Sequence, residues 1–356
     1  MIKPIRKVTI VGVGAIGGLF AAWMGTRLGQ GENEQPAGQG IELSAVARGA
    51  TLEALNTHGV VWTDEQGARH HASIRATDKA SELGPQDLVI VSVKGPAMPT
   101  VAPSVQALLG PDTTVLVAMN GVPWWFFQGL GGEAEGWQLN AVDPEGTTAQ
   151  CIPPSHVLGC VVHASAQAPQ PGQVARVKNN QLIIGEPKGG ASDRAAAVAA
   201  LLGAAGFDVT VSERIQRDIW FKLWGNMTMN PVSAITGAPC DRILDDPLVR
   251  GFCSAVMLEA QSIGARIGLP IDQDPESRHG LTRKLGSFKT SMLQDVEAGR
   301  TIELDALVGA VREIGQRLGL ATPNMDALMG LTRLMGQMRN LYPPAPLRGF
   351  PPGGQH

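Results

Sequence analysis

Lys222, Asn226 and Asn230 recur every four residues in the stretch Trp220-Phe-Lys-Leu-Trp-Gly-Asn-Met-Thr-Met-Asn-Pro231. On a helix that spacing makes one polar ladder. Ile215, Ile219, Leu223 and Met227 repeat with the same spacing and make an apolar one. Lys222 then lies about 60° from Ile219 and about 100° from Leu223, at the margin of the apolar stripe. An ammonium in such a place can offer a charge and a proton to a developing oxyanion, while carboxamides hold a small polar ligand. The spacing also fits a plain polar helix edge. Solvent-facing ladders, however, more often carry Glu, Lys, Arg and Gln, and Asn is a poor helix residue. A lined cleft and a polar edge both stay open on spacing alone.

The elements that must position this ladder begin at the N-terminus. Lys7-Val-Thr-Ile-Val-Gly12-Val-Gly14-Ala-Ile-Gly17-Gly is a β-branched run that enters G-x-G-x-x-G and continues into a helical pattern, Leu19–Leu28. This is the strand-to-helix context of a dinucleotide loop. Gly12 suits a tight turn, Gly14 a close approach of backbone to pyrophosphate, and Gly17 close helix–strand packing. The anion would rest on the unpaired N–H groups of the helix start. The second strand, Ile41–Val46, follows a polar insert, Gly29–Gly40, read as an exposed loop. It ends Ala45-Val-Ala-Arg48-Gly49, with a cation where NAD-binding versions carry an acid for the ribose hydroxyl. A guanidinium suits a 2′-phosphate, so NADP(H) is expected; a loop arginine in solvent is the plainer alternative.

Further strands follow in α/β order. Asp87–Lys94 and Thr114–Gly121 each carry an apolar run that ends with a polar residue, Lys94 and Asn120, at the carboxyl end, where open parallel sheets bind ligands. Lys94 and Asn120 are site candidates on that ground, although both also fit ordinary turn chemistry. Trp124-Trp-Phe-Phe127 could wall a nicotinamide pocket but reads more simply as core or subunit contact. Val157–Ser165, Gln173–Val177 and Gln181–Gly185 are expected strands, followed by a helix over Ala191–Gly206 and a last strand, Asp208–Val211.

From Ser212 onward helical periodicity takes over. Ser212 is the expected N-cap of the Lys222 helix, and Asn230-Pro231 is expected to limit it. Helices are expected over Pro247–Gly268, Pro275–Gly299, Asp305–Gly319 and Met325–Asn340. Asp274 would cap the second of these, and Gly299 would end it in the left-handed conformation. A chain of 356 residues calls for two domains. The expected division is 1–211 for a Rossmann-type NADP-binding domain, 212–340 for an all-α domain, and a disordered tail at 341–356.

Bulk properties exclude several classes. A net charge of −3 gives no electrostatic reason for a nucleic acid or anionic membrane partner. Cys151, Cys160, Cys240 and Cys253 show no zinc-ligand spacing and are expected as reduced thiols in a cytoplasmic protein. His70-His71 falls in a polar turn region with no third ligand, so no metal is expected. The uncharged run from Val8 to Gly25 resembles a signal peptide only superficially, because its five glycines (12, 14, 17, 18 and 25) fit the nucleotide loop better.

The constellation Gly12-x-Gly14-Ala-Ile-Gly17, Val93-Lys94, Asn120-Gly121, Lys222-x3-Asn226-x3-Asn230-Pro231 and Ser291-Met-Leu-Gln-Asp295…Glu303-x-Asp305 resembles the ketopantoate reductase family (2-dehydropantoate 2-reductases), in order from about residue 7 to about residue 330. The resemblance implies an α/β Rossmann-type N-terminal domain followed by an all-α C-terminal domain of the 6-phosphogluconate dehydrogenase C-terminal type. It implies NADPH-dependent reduction of a 2-keto acid to a D-type 2-hydroxy acid, feeding pantothenate and coenzyme A synthesis. On the same basis Lys222 would be the general acid, Asn226, Asn230 and Ser291 would hold substrate, and Glu303 would sit beside substrate and nicotinamide ribose. Gly12, Val13, Gly14, Ala15, Ile16, Gly17, Arg48, Lys94, Asn120 and Ser165 would hold the cofactor. The chain departs from the family pattern at Cys240 and Phe288, where the family often has Asn in contact with substrate. The implied reaction type survives this, while the keto acid stays open.

Two other readings compete. One is a related reductase or dehydrogenase acting on another 2-keto or 2-hydroxy acid, or on an imine. The other is a non-catalytic NADP-binding regulator, which would keep the glycine loop but need no ladder; Lys222, Asn226, Asn230, Ser291 and Glu303 together argue against it. The oligomeric state is open between monomer and homodimer.

Overall fold

The computed structural model describes residues 4–29, 40–284 and 286–343. Most of the insert read as an exposed loop, and residues 344–356 of the tail, lie outside the described residues. Leu341 and Tyr342, expected in a disordered tail, are instead held by hydrogen bonds, with Leu341 buried. Two compact units emerge, one formed by Met1–Leu223 with Gly264–Pro270, the other by Trp224–Ile263 with Ile271–His356. The expected division at 211/212 falls at the end of the last strand, whereas the units part inside a helix that carries the ladder.

The first unit is built on a ten-stranded sheet. Its strands are β1 (Lys7–Val11), β2 (Glu42–Val46), β3 (Val60–Thr63), β4 (Arg69–Ala72), β5 (Arg75–Thr77), β6 (Leu88–Val91), β7 (Thr114–Ala118), β8 (Val157–Gln167), β9 (Gln173–Gly185) and β10 (Asp208–Val211). Their order is β4-β3-β9-β8-β7-β6-β1-β2-β5, with β10 also paired to β9. From β8 to β5 every pairing is parallel, and β8–β9 is antiparallel. Parallel strands covered on both faces need continuous apolar sequence. Val8 and Ile10 of β1 and all four residues of β6 meet this, each with no exposed surface.

Helices α1 (Ala15–Leu28), α2 (Gly49–His58), α3 (Met98–Gln106), α4 (Thr147–Cys151) and α5 (Asp193–Ala204) belong to this unit. Every residue from Gly17 to Met24 of α1 is buried. The uncharged N-terminal run is therefore a central strand and the core helix that follows it. Among the described residues no helix is long and apolar enough to cross a membrane. Trp124, Trp125, Phe126 and Phe127 are all buried, and the Phe126 ring lies 6.1 Å from that of Trp220. This cluster is core.

Helix α6 (Ile215–Thr236) runs through the ladder. The second unit holds its C-terminal part with α7 (Cys240–Asp245), most of α8 (Pro247–Arg266), α9 (Pro275–Arg283), α10 (Ser291–Glu297), a π-helical turn at Asp305–Gly309 leading into α11 (Ala310–Arg317), and α12 (Pro323–Met338).

Several expectations are corrected. Pro231 does not end α6, which runs on to Thr236. A proline inside a helix costs about 3 kcal/mol, but Met229, Val232 and Ala234 are all buried around it. Burial of a large apolar side chain is worth about 1.5–3 kcal/mol, so packing outweighs the lost hydrogen bond. Ser212 is not the N-cap of α6. Its hydroxyl accepts from the Arg214 N–H two residues on and donates to Asp218, which makes a turn before the helix rather than its cap. The helix expected over Pro275–Gly299 is two helices. Gly286 has φ +70°, and Thr290 caps α10 by accepting from the Leu293 N–H. Asp274 does cap α9, accepting from Ser277 N–H, and Gly299 has φ +65°. The two segments expected within 173–185 are one continuous strand, with Asn179 at φ +58°. His70 and His71 lie in β4 rather than a turn; His70 stacks on Trp62 at 4.3 Å and binds Asp64 at 2.8 Å.

Candidate active site

The strand register builds a common edge. Val11 is level with Val46 of β2 and Val91 of β6, Val91 with Val117 of β7, and Ala118 with Cys160 of β8. Residues 12–14, 47–48, 92–94 and 119–120 therefore leave the sheet side by side. Strand order reverses at β1, which has β2 on one side and β6 on the other. Ligands of open parallel sheets bind at this kind of switch point.

The glycine loop fits a pyrophosphate. Gly12 has φ +92°, and a Cβ on it would come within 2.5 Å of the Val93 side chain. A Cβ on Gly17 would lie 1.9 Å from the Gly12 carbonyl oxygen, which also accepts from the Ser92 hydroxyl at 2.8 Å. Gly14, by contrast, faces open space, with nothing within 4 Å of an added Cβ. It is the N-cap of α1 and contributes no side-chain cap. An open cradle at an uncapped helix start is what a bound phosphate group needs. Val13, Ala15 and Ile16 lie in this loop and first turn. Arg48 stands at the N-cap of α2 with its side chain exposed, and Lys94 is half-buried at the N-cap of a short 3-10 turn, Gly95–Ala97.

Lys222 reaches this same edge. Its Nζ donates to Asn120 Oδ1 at 2.8 Å and to the Val162 carbonyl oxygen at 2.7 Å. Both acceptors sit two residues beyond the Ala118–Cys160 pair. Both are neutral, so they orient the ammonium without cancelling its charge. The apolar ladder holds the other flank of α6, with Ile215, Ile219, Leu223 and Met227 all buried. Cys160 lies close enough to feel Lys222. Burial pushes its thiol up to about 12, against the pull of the lysine charge, so the thiol stays protonated and inert.

Asn120, expected on the cofactor, is thus in the structure a partner of Lys222. The Val162 carbonyl and Ser92 hydroxyl are not among the sequence-predicted residues. The observed strand β6 ends at Val91, three residues before the expected end at Lys94, which makes Ser92 the first polar residue past it; a carbonyl contact leaves no sequence signal. Ser165 is exposed on β8 beside a register shift, its hydroxyl 3.4 Å from the Lys178 carbonyl oxygen. It is not brought to Lys222, lying three residues past Val162, or about 10 Å along the strand.

In the second unit Asn226 is half-buried and Asn230 buried, one and two turns along α6. Ser291 is the first residue of α10 and is exposed, a position created by the break at Gly286. Glu303 is half-buried between Ile302 and Leu304, neither of which exposes any surface. The two departures from the family pattern turn out to be neighbours, since the Cys240 N–H donates to the Phe288 carbonyl at 2.9 Å. Cys240 is buried and its thiol is pushed up to about 11 by that burial, with Asp241 adding to it. Phe288 keeps 40% of its surface exposed.

Residues 8–124 match the ketopantoate reductase PanE/ApbA family profile, and residues 214–336 match its C-terminal counterpart. A 2-dehydropantoate 2-reductase of Mesorhizobium japonicum is 41% identical over 319 residues, 90% of this chain and 94% of that protein. The chain belongs to the ketopantoate reductase family. A crystal structure from Ralstonia solanacearum MolK2, provisionally described as a ketopantoate reductase, superposes on this family member with a TM-score of 0.88. It is 54% identical and covers 95% of this chain and 100% of its own. A D-mandelate dehydrogenase solved with NADH and anilino(oxo)acetate shares the fold at TM-score 0.77 and 21% identity, with 94% of this chain and 100% of that one covered. That likeness carries the fold alone. The Lys222–Asn120 contact lies at the carboxyl edge of the parallel sheet, the edge at which open α/β sheets bind ligands.

Proposed function

We propose that this ketopantoate reductase family member reduces 2-dehydropantoate to D-pantoate with NADPH, in pantothenate and coenzyme A synthesis, as a cytoplasmic monomer or homodimer. The observation that carries this is 41% identity to a 2-dehydropantoate 2-reductase across 90% of the chain, joined to the Lys222 ammonium held at the strand edge. The nicotinamide cofactor supplies the hydride when bound. Gly12, Val13, Gly14, Ala15, Ile16 and Gly17 would hold its pyrophosphate, Arg48 its 2′-phosphate, and Lys94, Asn120 and Ser165 the remainder of its length.

Lys222 does the acid work in this reading. A ketone carbon that becomes tetrahedral leaves negative charge on its oxygen, which needs a cation and a proton at once. The Lys222 Nζ provides both, already aimed by Asn120 and Val162 so that little reorganisation is left at the moment of reaction. Asn226 and Asn230 continue the same helix by about 6 and 12 Å, and their carboxamides suit the carboxylate and hydroxyl of a hydroxylated keto acid. Ser291 adds a hydroxyl. Glu303 would accept from the substrate hydroxyl or from the nicotinamide ribose.

A second reading rests on one contact. Cys240 and Phe288 stand side by side where two substrate-facing carboxamides are expected, and Phe288 presents an exposed ring. A site altered in this way favours a 2-keto acid with an apolar side chain. Purified protein with NADPH and a panel of 2-keto acids, followed by loss of NADPH fluorescence, decides the matter. Highest kcat/KM with 2-dehydropantoate supports the main reading. Preference for an apolar 2-keto acid overturns it in favour of the second, and no oxidation with any member would revive a non-catalytic regulator.

A further inference from the structure

Tyr342 is the only tyrosine in the chain, and its hydroxyl donates to Asp305 Oδ1 at 2.6 Å. Asp305 stands two residues after Glu303, at the first position of the π-helical turn Asp305–Gly309. The segment that delivers Tyr342 is tied down on both sides. The Leu341 carbonyl accepts from the Ile302 N–H at 3.0 Å, and the Leu341 N–H donates to the Gly336 carbonyl at 2.7 Å. Asn340 turns the chain out of α12 with φ +57°. Gly336 leaves the room this requires, because a Cβ there would lie 2.8 Å from Tyr342 Cβ and 3.0 Å from Ile302 Cδ1. Leu341 itself is buried.

Glu303 is therefore carried on a short segment pinned at three points. Its backbone neighbour Ile302 is bonded to residue 341, Ile302 and Leu304 are fully buried, and Asp305 is bonded to residue 342. Two of these points come from one strap, residues 341–342. A phenol–carboxylate pair is an expensive way to gain stability, because both groups lose water when buried and a Phe–Leu pair would pack in their place without that loss. Burial indeed pushes the Asp305 carboxyl up, against the hydrogen bond from Tyr342 that pulls it down. What the pair adds over an apolar contact is a fixed direction and distance. It supplies them at a π-turn, a rare and less regular geometry that is commonly found at functional sites.

We propose that Tyr342 and Asp305 form a clasp that holds Glu303 in the position its work requires, which makes Tyr342 a positioning residue for the reductase reaction. The inference rests on the role given to Glu303 above. Removing the phenol hydroxyl leaves the strap backbone bonds in place and frees the start of the π-turn, so Glu303 samples positions from which it no longer serves the substrate.

The test is a double-mutant cycle on the full chain with NADPH and 2-dehydropantoate. Tyr342→Phe is expected to lower kcat/KM for the keto acid about 5–30-fold while the Kd for NADPH stays within about twofold and the melting temperature within a few degrees. In a Glu303→Gln background the same change should cost almost nothing further, since both variants damage one function. Asp305→Asn keeps an acceptor oxygen for the phenol and should retain most activity, whereas Asp305→Leu should match Tyr342→Phe and stands in for it if that variant does not fold. A Tyr342→Phe enzyme with unchanged kinetics, or one whose loss adds in full to that of Glu303→Gln, overturns the clasp alone. A wild-type protein without turnover, or a Glu303→Gln variant with full turnover, instead removes the reading of the site and the clasp with it.

Discussion

Lys222 Nζ and Asn120 Oδ1 are 2.8 Å apart, although 102 residues separate them in the chain. The contact joins the helix that carries the ladder to the end of β7. The Val162 carbonyl of β8 is a second acceptor, so two donor directions of the ammonium are set, one from a strand and one from the turn that follows a strand. These two acceptors are neutral and do not themselves offset the ammonium charge, as a carboxylate in the same place would.

If Lys222 is the general acid proposed above, Lys222→Ala should lower kcat about 10²–10⁴-fold with NADPH binding nearly intact, since the proposed role is at the reacting oxygen and not at the nucleotide. Steady-state rates and a fluorescence titration of NADPH measure the two effects separately. Wild-type turnover would take Lys222 out of the mechanism.

Arg48→Ala should weaken NADPH by about 10–100-fold and NADH far less. The figure follows from the loss of one or two charge-assisted hydrogen bonds to a 2′-phosphate, worth about 1.5–3 kcal/mol. Equal losses for the two nucleotides would show that the exposed Arg48 side chain does not read that phosphate.

Gly14→Ala and Gly17→Ala should fail in opposite ways. At Gly14 an added Cβ meets nothing within 4 Å, so the fold should be kept, while NADPH affinity should drop at least about tenfold if this open space is the proposed phosphate cradle. At Gly17 it meets the Gly12 carbonyl oxygen at 1.9 Å and Ser92 Oγ at 2.3 Å. Overpacking of that kind should lower the melting temperature by roughly 2–10 °C before any ligand is added. Thermal denaturation with and without NADPH distinguishes the two, and similar melting temperatures for both variants would contradict the expectation.

Acid stability should depend on Glu186. Burial alone would push its carboxyl up, but hydrogen bonds from Arg194 and Ser192 outweigh that and hold it below the ordinary value of 4.5. A carboxyl depressed in the folded state contributes stability above its unfolded value and loses it as pH falls through the folded one. Stability should therefore decline from about pH 4.5 downward, and Arg194→Met should flatten that decline. Urea unfolding across pH 3–6, sampled at intervals of about half a unit, reads the slopes; parallel curves for wild type and variant would remove Glu186 as the cause.

Local chemistry was legible where the signal was local. The glycine register, the Asp274 cap, the left-handed Gly299 and the strand Asp208–Val211 all stand where spacing and turn chemistry put them. Burial overrode the local signal at Pro231, which lies inside α6 because its neighbours are packed. At Ser291 the deciding signals were local, although the expected helix ran through them: Gly286 breaks the chain and Thr290 caps the helix that Ser291 opens.

By itself the sequence determined the glycine turn between β1 and α1, the alternation of strands and helices, and the polar ladder on α6, because each depends on residues within a turn or two of one another. Only the tertiary structure decided that Asn120 faces Lys222, that Cys240 and Phe288 are neighbours, and that Tyr342 closes on Asp305. Those pairs are 102, 48 and 37 residues apart. Contacts at such separations are fixed by how whole strands and helices pack, and no spacing along the chain encodes them.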